Sequence, residues 1–400
     1  MLRTFKYQLR PDEAQLQALD YLLWQARKVY NAALEQRINT YKETRQGMGY
    51  AAQWAHFRDL RHDQPDTLGQ LNATCLQQML RRLDKAFAAF FRLVKAGETP
   101  GFPPFKGRNR FKSLEFTYGD GCKLRVNPEG RASFYVQNVG ELRLAYHRPV
   151  PPEAVIKHVV LKESAGRWYV CLMLELPDPA PVADDKPIEK PVGADAGLKS
   201  LLALGDGTLV DNPRWMRETL AKLRRLQRHA ARQQKGSHRQ RDTYAQIAQL
   251  HERIANQRRD YWQKVARNLV RQHDLIALED MPLAFMTRNS HLALSAHDAG
   301  LNQFRQYLHY KAADAGVKVV AVNPFNTSQA CSGCGVSVPK DLSERVHVCP
   351  ECGLTLDRDV NAARNILDLA LATLNSPGRG DQDLTWAAVT AERVLRSCRL

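Results

Sequence analysis

Two cysteine pairs, Cys331 with Cys334 and Cys349 with Cys352, stand fourteen residues apart, and two aspartates, Asp357 and Asp359, follow within a few positions. Four thiolates at doubled C-x2-C spacing suit one structural, tetrahedral zinc ion. Gly335 and Gly353, directly after each pair, permit the tight turn that aims two sulfurs at the same ion. A redox dithiol pair and a ribbon that has lost its metal are the alternatives. His347 lies near, yet four thiolates close such a site without it. The carboxylates suggest a second chemistry. Asp195, Glu279 and Asp359 each sit where an apolar stretch meets a small or irregular one, so three distant parts of the chain can bring them to one end of a sheet. Converging carboxylates hold hard divalent cations, Mg²⁺ or Mn²⁺, and two such ions about 4 Å apart activate a water and stabilise the leaving oxygen of a phosphodiester. Taken singly, each acid reads as a solvated turn residue; the order of the elements is what joins them. Asp357 competes for the third place, but Asn361-Ala362-Ala363 opens a helix, which puts Asp359 at its N-terminal end and leaves Asp357 as a neighbour or cap.

The elements that must position these acids read as follows. The stretch from Pro191 gives a strand ending at Asp195, a second strand over Ser200 to Leu204, a turn at Gly205-Asp206-Gly207 and a short third strand. A long basic helical pair comes next, then an apolar strand ending at Glu279, a helix around Asn302 to Ala315, the strand VKVVAV, the cysteine insert and a last helix from about Asp359. Three strands followed by alternating helices and strands is the order of a ribonuclease H-like α/β domain.

Ahead of it lies a different architecture. MLRTFKYQLR alternates as a half-buried strand and lacks the apolar core of a signal peptide. The next stretch places Leu16, Leu19, Leu23, Ala26 and Tyr30 on one helical face, and a second helix over about Leu71 to Ala96 carries Leu76, Met79, Leu80, Leu83, Phe87 and Phe90. From about Leu114 to Leu176 short strand-like runs recur, which suggests a barrel completed by the N-terminal strand. Cys75, Cys122, Cys171 and Cys398 are scattered singly and read as small core or incidental residues.

With 58 Lys and Arg against 42 Asp and Glu, the chain carries a formal charge of +16, which attracts polyanions, nucleic acid first among them. Between Trp215 and Arg241, nine basic residues, among them Arg217, Lys222, Arg224, Arg225, Arg228 and Arg232, stand against the single acid Glu218. So one-sided a run suits a phosphate backbone better than a solvated face. Phe102, Phe105 and Phe111, interleaved with Lys106, Arg108 and Arg110, either clamp RNA or fill the core of the β-rich segment. No apolar stretch approaches the roughly 20 residues needed to cross a bilayer, and the expected location is the bacterial cytosol.

Gly193-Ala-Asp195-Ala-Gly197, the strand ending at Glu279, Thr327-Ser-Gln-Ala-Cys331-x2-Cys334-Gly and Asp357-Arg-Asp359-Val-Asn361-Ala-Ala together resemble the TnpB (OrfB) family of insertion-sequence proteins, related to the ancestors of type V CRISPR effectors. Gly101-Phe-Pro-Pro-Phe-Lys106 and Arg27-Lys-Val-Tyr-Asn31 are similar to it as well. The resemblance implies an RNA-guided DNA endonuclease that binds a guide RNA from the end of its own transposon, one protein per RNA. It further implies recognition of a short motif beside the target and cutting of both DNA strands at a single RuvC site. By motif match Asp195, Glu279 and Asp359 become the catalytic acids holding two Mg²⁺ or Mn²⁺ ions, and the four cysteines hold one zinc. Tyr50 and Gln77 become the candidates for contact with the adjacent motif. The implied architecture is multidomain α+β: a β-barrel wedge (1–10 and 114–180), a helical recognition insert (11–113), a linker (181–191), a RuvC, RNase H-like nuclease (192–329 and 356–375), a zinc-ribbon insert (330–355) and a tail (376–400). A catalytically inactive RNA-guided repressor and a true transposase are the competing readings. The intact acids oppose the first, and no His-hydrophobic-His arrangement with a nucleophilic Tyr supports the second.

Overall fold

The computed structural model describes residues 1–178, 187–280, 284–323, 325–341 and 343–375. Most of the expected linker, the tail and Cys398 fall outside them. The chain divides into two compact units at about Asp178.

The first unit is a seven-stranded antiparallel sheet in the order β2-β6-β7-β1-β5-β4-β3 with three helices. Its strands are β1 (Leu2–Arg10), β2 (Ser113–Thr117), β3 (Cys122–Val126), β4 (Ala132–Val136), β5 (Gly140–Leu144), β6 (Val155–Ser164) and β7 (Arg167–Glu175). The N-terminal strand completes the sheet from its middle, pairing with β7 along Leu2 to Leu9 and with β5 at Leu9 and Arg10. The ladders leave the sheet open between β2 and β3, yet only Tyr118 to Gly121 join these two edge strands. A flat sheet would separate its edges by roughly 29 Å, more than the roughly 18 Å that so short a connection spans. The sheet therefore curls like a barrel without a closing ladder.

The helices are α1 (Glu13–Thr44), α2 (Tyr50–Asp63) and α3 (Ala73–Lys95). Asp12 and Gln15 form a reciprocal capping box at the start of α1, and the Asn72 side chain caps α3 at Thr74 and Cys75. Leu19, Ala26 and Tyr30 of α1 and Leu76, Met79, Leu80 and Leu83 of α3 are buried as their spacing suggests, whereas Leu16 is exposed. Helix α2 has no counterpart in the sequence reading. It buries only Gln53 and Phe57, so no apolar stripe announces it. Cys75, Cys122 and Cys171 are buried, and burial pushes the Cys75 and Cys122 thiols up to about 12, as befits inert core residues.

The second unit is built on a five-stranded sheet in the order β10-β9-β8-β11-β12. Its strands are β8 (Pro191–Asp195), β9 (Ser200–Leu204), β10 (Leu209–Asp211), β11 (Leu275–Glu279) and β12 (Lys318–Val322). β8, β9 and β10 form an antiparallel meander, while β8, β11 and β12 run parallel. Between them run α4 (Trp215–Arg232), α5 (His238–Gln272), α6 (Ala284–Arg288), α7 (Ala293–Ala299) and α8 (Leu301–Ala315); β13 (Val346–Val348), β14 (Thr355–Asp357) and α9 (Arg358–Asn375) follow β12. Alternation along β11 shows the layering. Ile276 and Leu278 pack with Trp262 and Ala266 of α5 and Phe304 of α8, while Ala277 packs with Ile366 and Ala370 of α9. Helices thus cover both faces of the parallel strands, which is the usual condition for such strands to be stable.

Candidate active site and metal centre

Asp195 is the last residue of β8 and Glu279 the last of β11. The parallel register pairs Leu278 with Ala194, so the two acids follow side by side at the C-terminal ends of neighbouring interior strands. Asp359 approaches from the first turn of α9, and α9 can lie against β8 because position 193 has no side chain: a Cβ there would sit 1.8 Å from the Ala363 carbonyl oxygen. Asp357 ends β14 and caps α9, its Oδ1 accepting from the amides of Asp359 (2.8 Å) and Val360 (3.3 Å). The structure thereby gives these neighbouring aspartates different surroundings.

The site is crowded with negative charge. Burial, then the Glu279 and Asp359 carboxylates, push the Asp195 carboxyl up to about 8. Burial also raises Glu279, against the opposing effects of the Thr327 hydroxyl and Arg305. Thr327 donates to Glu279 Oε1 at 2.6 Å, and Arg305 donates to the Glu279 carbonyl at 2.6 Å. Arg358 lies against Asp359, Nη2 to Oδ1 at 3.1 Å. Oxygen donors that raise one another's proton affinity suit a hard divalent cation, which supplies the missing positive charge. Among the described residues the three acids are not gathered as closely as the cysteines are.

The four cysteine sulfurs all lie within 4.8 Å of one another. Cys331 Sγ is 3.6 Å from Cys352 Sγ, and Cys334 Sγ is 3.5 Å from Cys349 Sγ. Zn–S bonds of about 2.3 Å in a tetrahedron separate sulfurs by about 3.8 Å, so the donor set fits zinc. Each pair turns through its glycine, Gly335 at φ 77° and Gly353 at φ 72°, whose amides donate to the carbonyls of Cys331 and Cys349. His347 is fully buried beside them and is not one of the converging ligands.

Sequence reasoning missed the polar groups that join this clip to the acids. Asn361, fully buried on α9, donates to the Ala330 carbonyl at 2.7 Å and accepts from the Ser332 amide at 2.9 Å. Asn365, one turn on, donates to the carbonyls of Thr327 and Ala330. One helix therefore carries Asp359, grips the start of the ribbon and holds the backbone of the threonine that bonds Glu279. The visible signal was polarity: asparagines at positions where a packed helix face would otherwise be apolar.

Arg217, Lys222, Arg224, Arg225, Arg228 and Arg232 are all exposed on α4, whose Leu223 and Ala230 pack with Ile247 of α5. The first turn of α4 is capped from afar by buried Asp298, which accepts from the amides of Met216 and Arg217. The three phenylalanines of the Pro-rich segment divide: Phe111 is core, whereas Phe102 and Phe105 are exposed beside partly buried Lys106 and exposed Arg108 and Arg110. Tyr50 packs partly against the core, with the Arg81 guanidinium 5.4 Å from its ring, and Gln77 precedes Arg81 by one turn of α3.

Three family descriptions match the chain: "Helix-turn-helix domain" over 1–46, "Probable transposase" over 172–290 and "Cas12f1-like, TNB domain" over 302–366. Residues 1–46 here form β1 and one long helix. A "Putative RNA-guided DNA endonuclease" of Streptomyces pristinaespiralis is 33% identical, the match covering 92% of this chain and 90% of the relative. The Escherichia coli K12 protein "Putative RNA-guided DNA endonuclease InsQ" is 32% identical over 93% of each. In fold, the chain resembles the solved mini-RNA-guided endonuclease CRISPR-Cas_phi3, with a TM-score of 0.53 at 10% identity over 95% of this chain and 94% of that one. The chain belongs to the TnpB (OrfB) family of insertion-sequence proteins.

Proposed function

We propose that this chain is a transposon-encoded, RNA-guided DNA endonuclease that hydrolyses phosphodiesters at Asp195, Glu279 and Asp359 in an RNase H-like, RuvC-type domain. The observation that carries the reading is the meeting of Asp195 and Glu279 on adjacent parallel strands with Asp359 delivered by the helix packed on β8. Mg²⁺ or Mn²⁺ ions held by these three acids would activate water and stabilise the departing oxygen. The chain's own residues set the stage. Thr327 orients the Glu279 carboxylate, Arg358 engages Asp359 and Asp357 fixes the first turn of α9. The cysteine ribbon, closed on one zinc, holds that turn in place, since β14 runs directly into α9.

The guide RNA and its DNA partner form a duplex recognised by A-form shape and backbone rather than by sequence. The exposed cations of α4, with Lys106, Arg108 and Arg110, are suited to that task. Tyr50, which meets Arg81, and Gln77, one turn before Arg81 on α3, are our candidates for contact with the adjacent motif. The test is plasmid cleavage in Mg²⁺ by protein purified with its flanking transcript, against a guide-matched target preceded by randomised bases. Cutting that follows the guide and stops in EDTA supports the reading; guide-dependent binding without cutting would instead make the protein a repressor.

A further inference from the structure

Helix α1 carries an aromatic pair on its outer side. Tyr21 keeps 38% and Trp24 41% of its surface exposed, with ring centroids 5.7 Å apart and planes tilted by 36°. Both rings are held in place. Gln25, only 4% exposed, donates its Nε2 to the Tyr21 hydroxyl at 2.8 Å, and Lys28 Nζ lies 4.4 Å from the Trp24 ring centroid. Partly exposed aromatics fixed by a buried amide and a cation present ring surface at little further entropic cost to a ligand.

The surroundings of the pair are basic. Asn31, two turns along α1, exchanges hydrogen bonds with the Lys106 backbone: its Nδ2 donates to the carbonyl at 3.1 Å and its Oδ1 accepts from the amide at 2.8 Å. That clamp lays the Pro-rich basic segment along the helix. Arg108 Nη2 reaches to 3.7 Å from Asp20, one turn before Trp24. Arg108 balances the charge of Asp20, Lys28 adds a cation beside Trp24, and the Pro-rich segment also carries Lys106, whose Nζ lies 5.8 Å from the Tyr30 ring centroid, and exposed Arg110.

We propose that Tyr21 and Trp24 form a shelf on which an unpaired base of the guide RNA stacks, with Lys28 and the 106–110 segment meeting the flanking phosphates. The proposal rests on the RNA-guided reading above. Stacking suits any base, since each has a π-face, and cations beside the ring add affinity. RNA is the favoured occupant because its loops and bulges offer unpaired bases as soon as the chain binds it, whereas DNA bases become unpaired only after the guide has opened the duplex.

The experiment titrates the full chain, and its Trp24→Ala, Trp24→Phe and Tyr21→Ala variants, with the transcript of the DNA flanking its coding sequence. The same transcript carrying 4-thiouridine is photocrosslinked to the unmutated chain and the attached peptide identified. Trp24→Ala is expected to weaken RNA binding about 5- to 150-fold, with Trp24→Phe recovering most of it. The crosslink is expected on the α1 peptide that carries Tyr21 and Trp24. Tyr21→Ala also leaves the buried Gln25 Nε2 without its hydroxyl partner and should lower the melting temperature, so the Trp24 variants carry the affinity test, and a variant that melts early leaves the crosslink as the deciding result. RNA affinity unaltered in both alanine variants, with no α1 crosslink, overturns the shelf while leaving the RNA-guided reading intact. A loss confined to DNA binding by the RNA-loaded complex, or to self-association, also overturns it. An unmutated chain that binds no RNA defeats the RNA-guided reading itself.

Discussion

The two candidate metal centres of the second unit lie close along the chain and are built in opposite ways. The cysteine clip is local: two short knuckles, each turned by its own glycine, bring four sulfurs within 4.8 Å of one another. The carboxylate site is global, since its three acids come from β8, β11 and α9 and meet only when the sheet and its covering helix are assembled. A local site can be formed by its ligand alone, whereas a distributed one inherits every defect of the fold. The two are nevertheless mechanically joined, through β14 running into α9 and through Asn361 and Asn365.

That contrast is broken most severely from the local side. Replacing Cys331 and Cys334 together by Ser should reduce zinc from one ion per chain to none, as read by elemental analysis. Cleavage should fall with it, because the strand that caps α9 loses its anchor. Retained cleavage in zinc-free protein would show that the two centres are independent.

The next largest effect should come from Gly193→Ala. The added methyl meets backbone at 1.8 Å, so α9 must shift. Overpacking of this kind costs roughly 1–3 kcal/mol or more, and the displacement also moves Asp359. A lowered melting temperature with lost cleavage and unchanged zinc content is expected, the mirror image of the cysteine variant.

Asp195→Asn separates charge from geometry. The folded carboxyl keeps its proton up to about 8, against an ordinary value of 3.8, so the folded state binds the proton more tightly than the unfolded one. Stability of the metal-free protein should therefore fall as pH rises between these values, and the asparagine variant should remove that slope. Thermal melts from pH 4 to 8 with no Mg²⁺ or Mn²⁺ added and the zinc left in place check this: the variant should melt higher than the unmutated chain near pH 8 while failing to cut DNA.

Thr327→Val should be mildest. Loss of the hydroxyl bond removes an influence that lowers Glu279, so its carboxyl should titrate higher and the acid limb of the pH–rate profile should move to higher pH. A fall in rate with no shift of the limb would make Thr327 merely structural.

Much of this was legible in the sequence, for identifiable reasons. β8, β9 and β11 were readable because apolar runs end at Gly-Asp-Gly or at an acid, β12 because its apolar run stops at Asn323-Pro324, and α9 because Asn-Ala-Ala follows Asp359. The cysteine clip was readable from spacing alone. Helix α2 was not, since a helix that buries a glutamine and one phenylalanine has no apolar period. The fates of Phe102, Phe105 and Phe111 depended on how the Pro-rich segment docks, which Asn31 decides from far away in sequence. Thr327 and Asn361 stood inside recognised motifs and Asn365 two residues beyond one, but no residue pattern reveals their partners, the Glu279 carboxylate for Thr327 and backbone groups for the two asparagines.

Asp195, Glu279 and Asp359 should act as one unit on one phosphodiester. The most direct measurement compares guide-dependent cleavage by the three single alanine variants and the triple variant, each loaded with the same RNA. Each single replacement should abolish cutting as completely as the triple one while RNA binding persists, because residues acting together do not contribute additively. Cutting at near the unmutated rate by any one of the three would contradict the account.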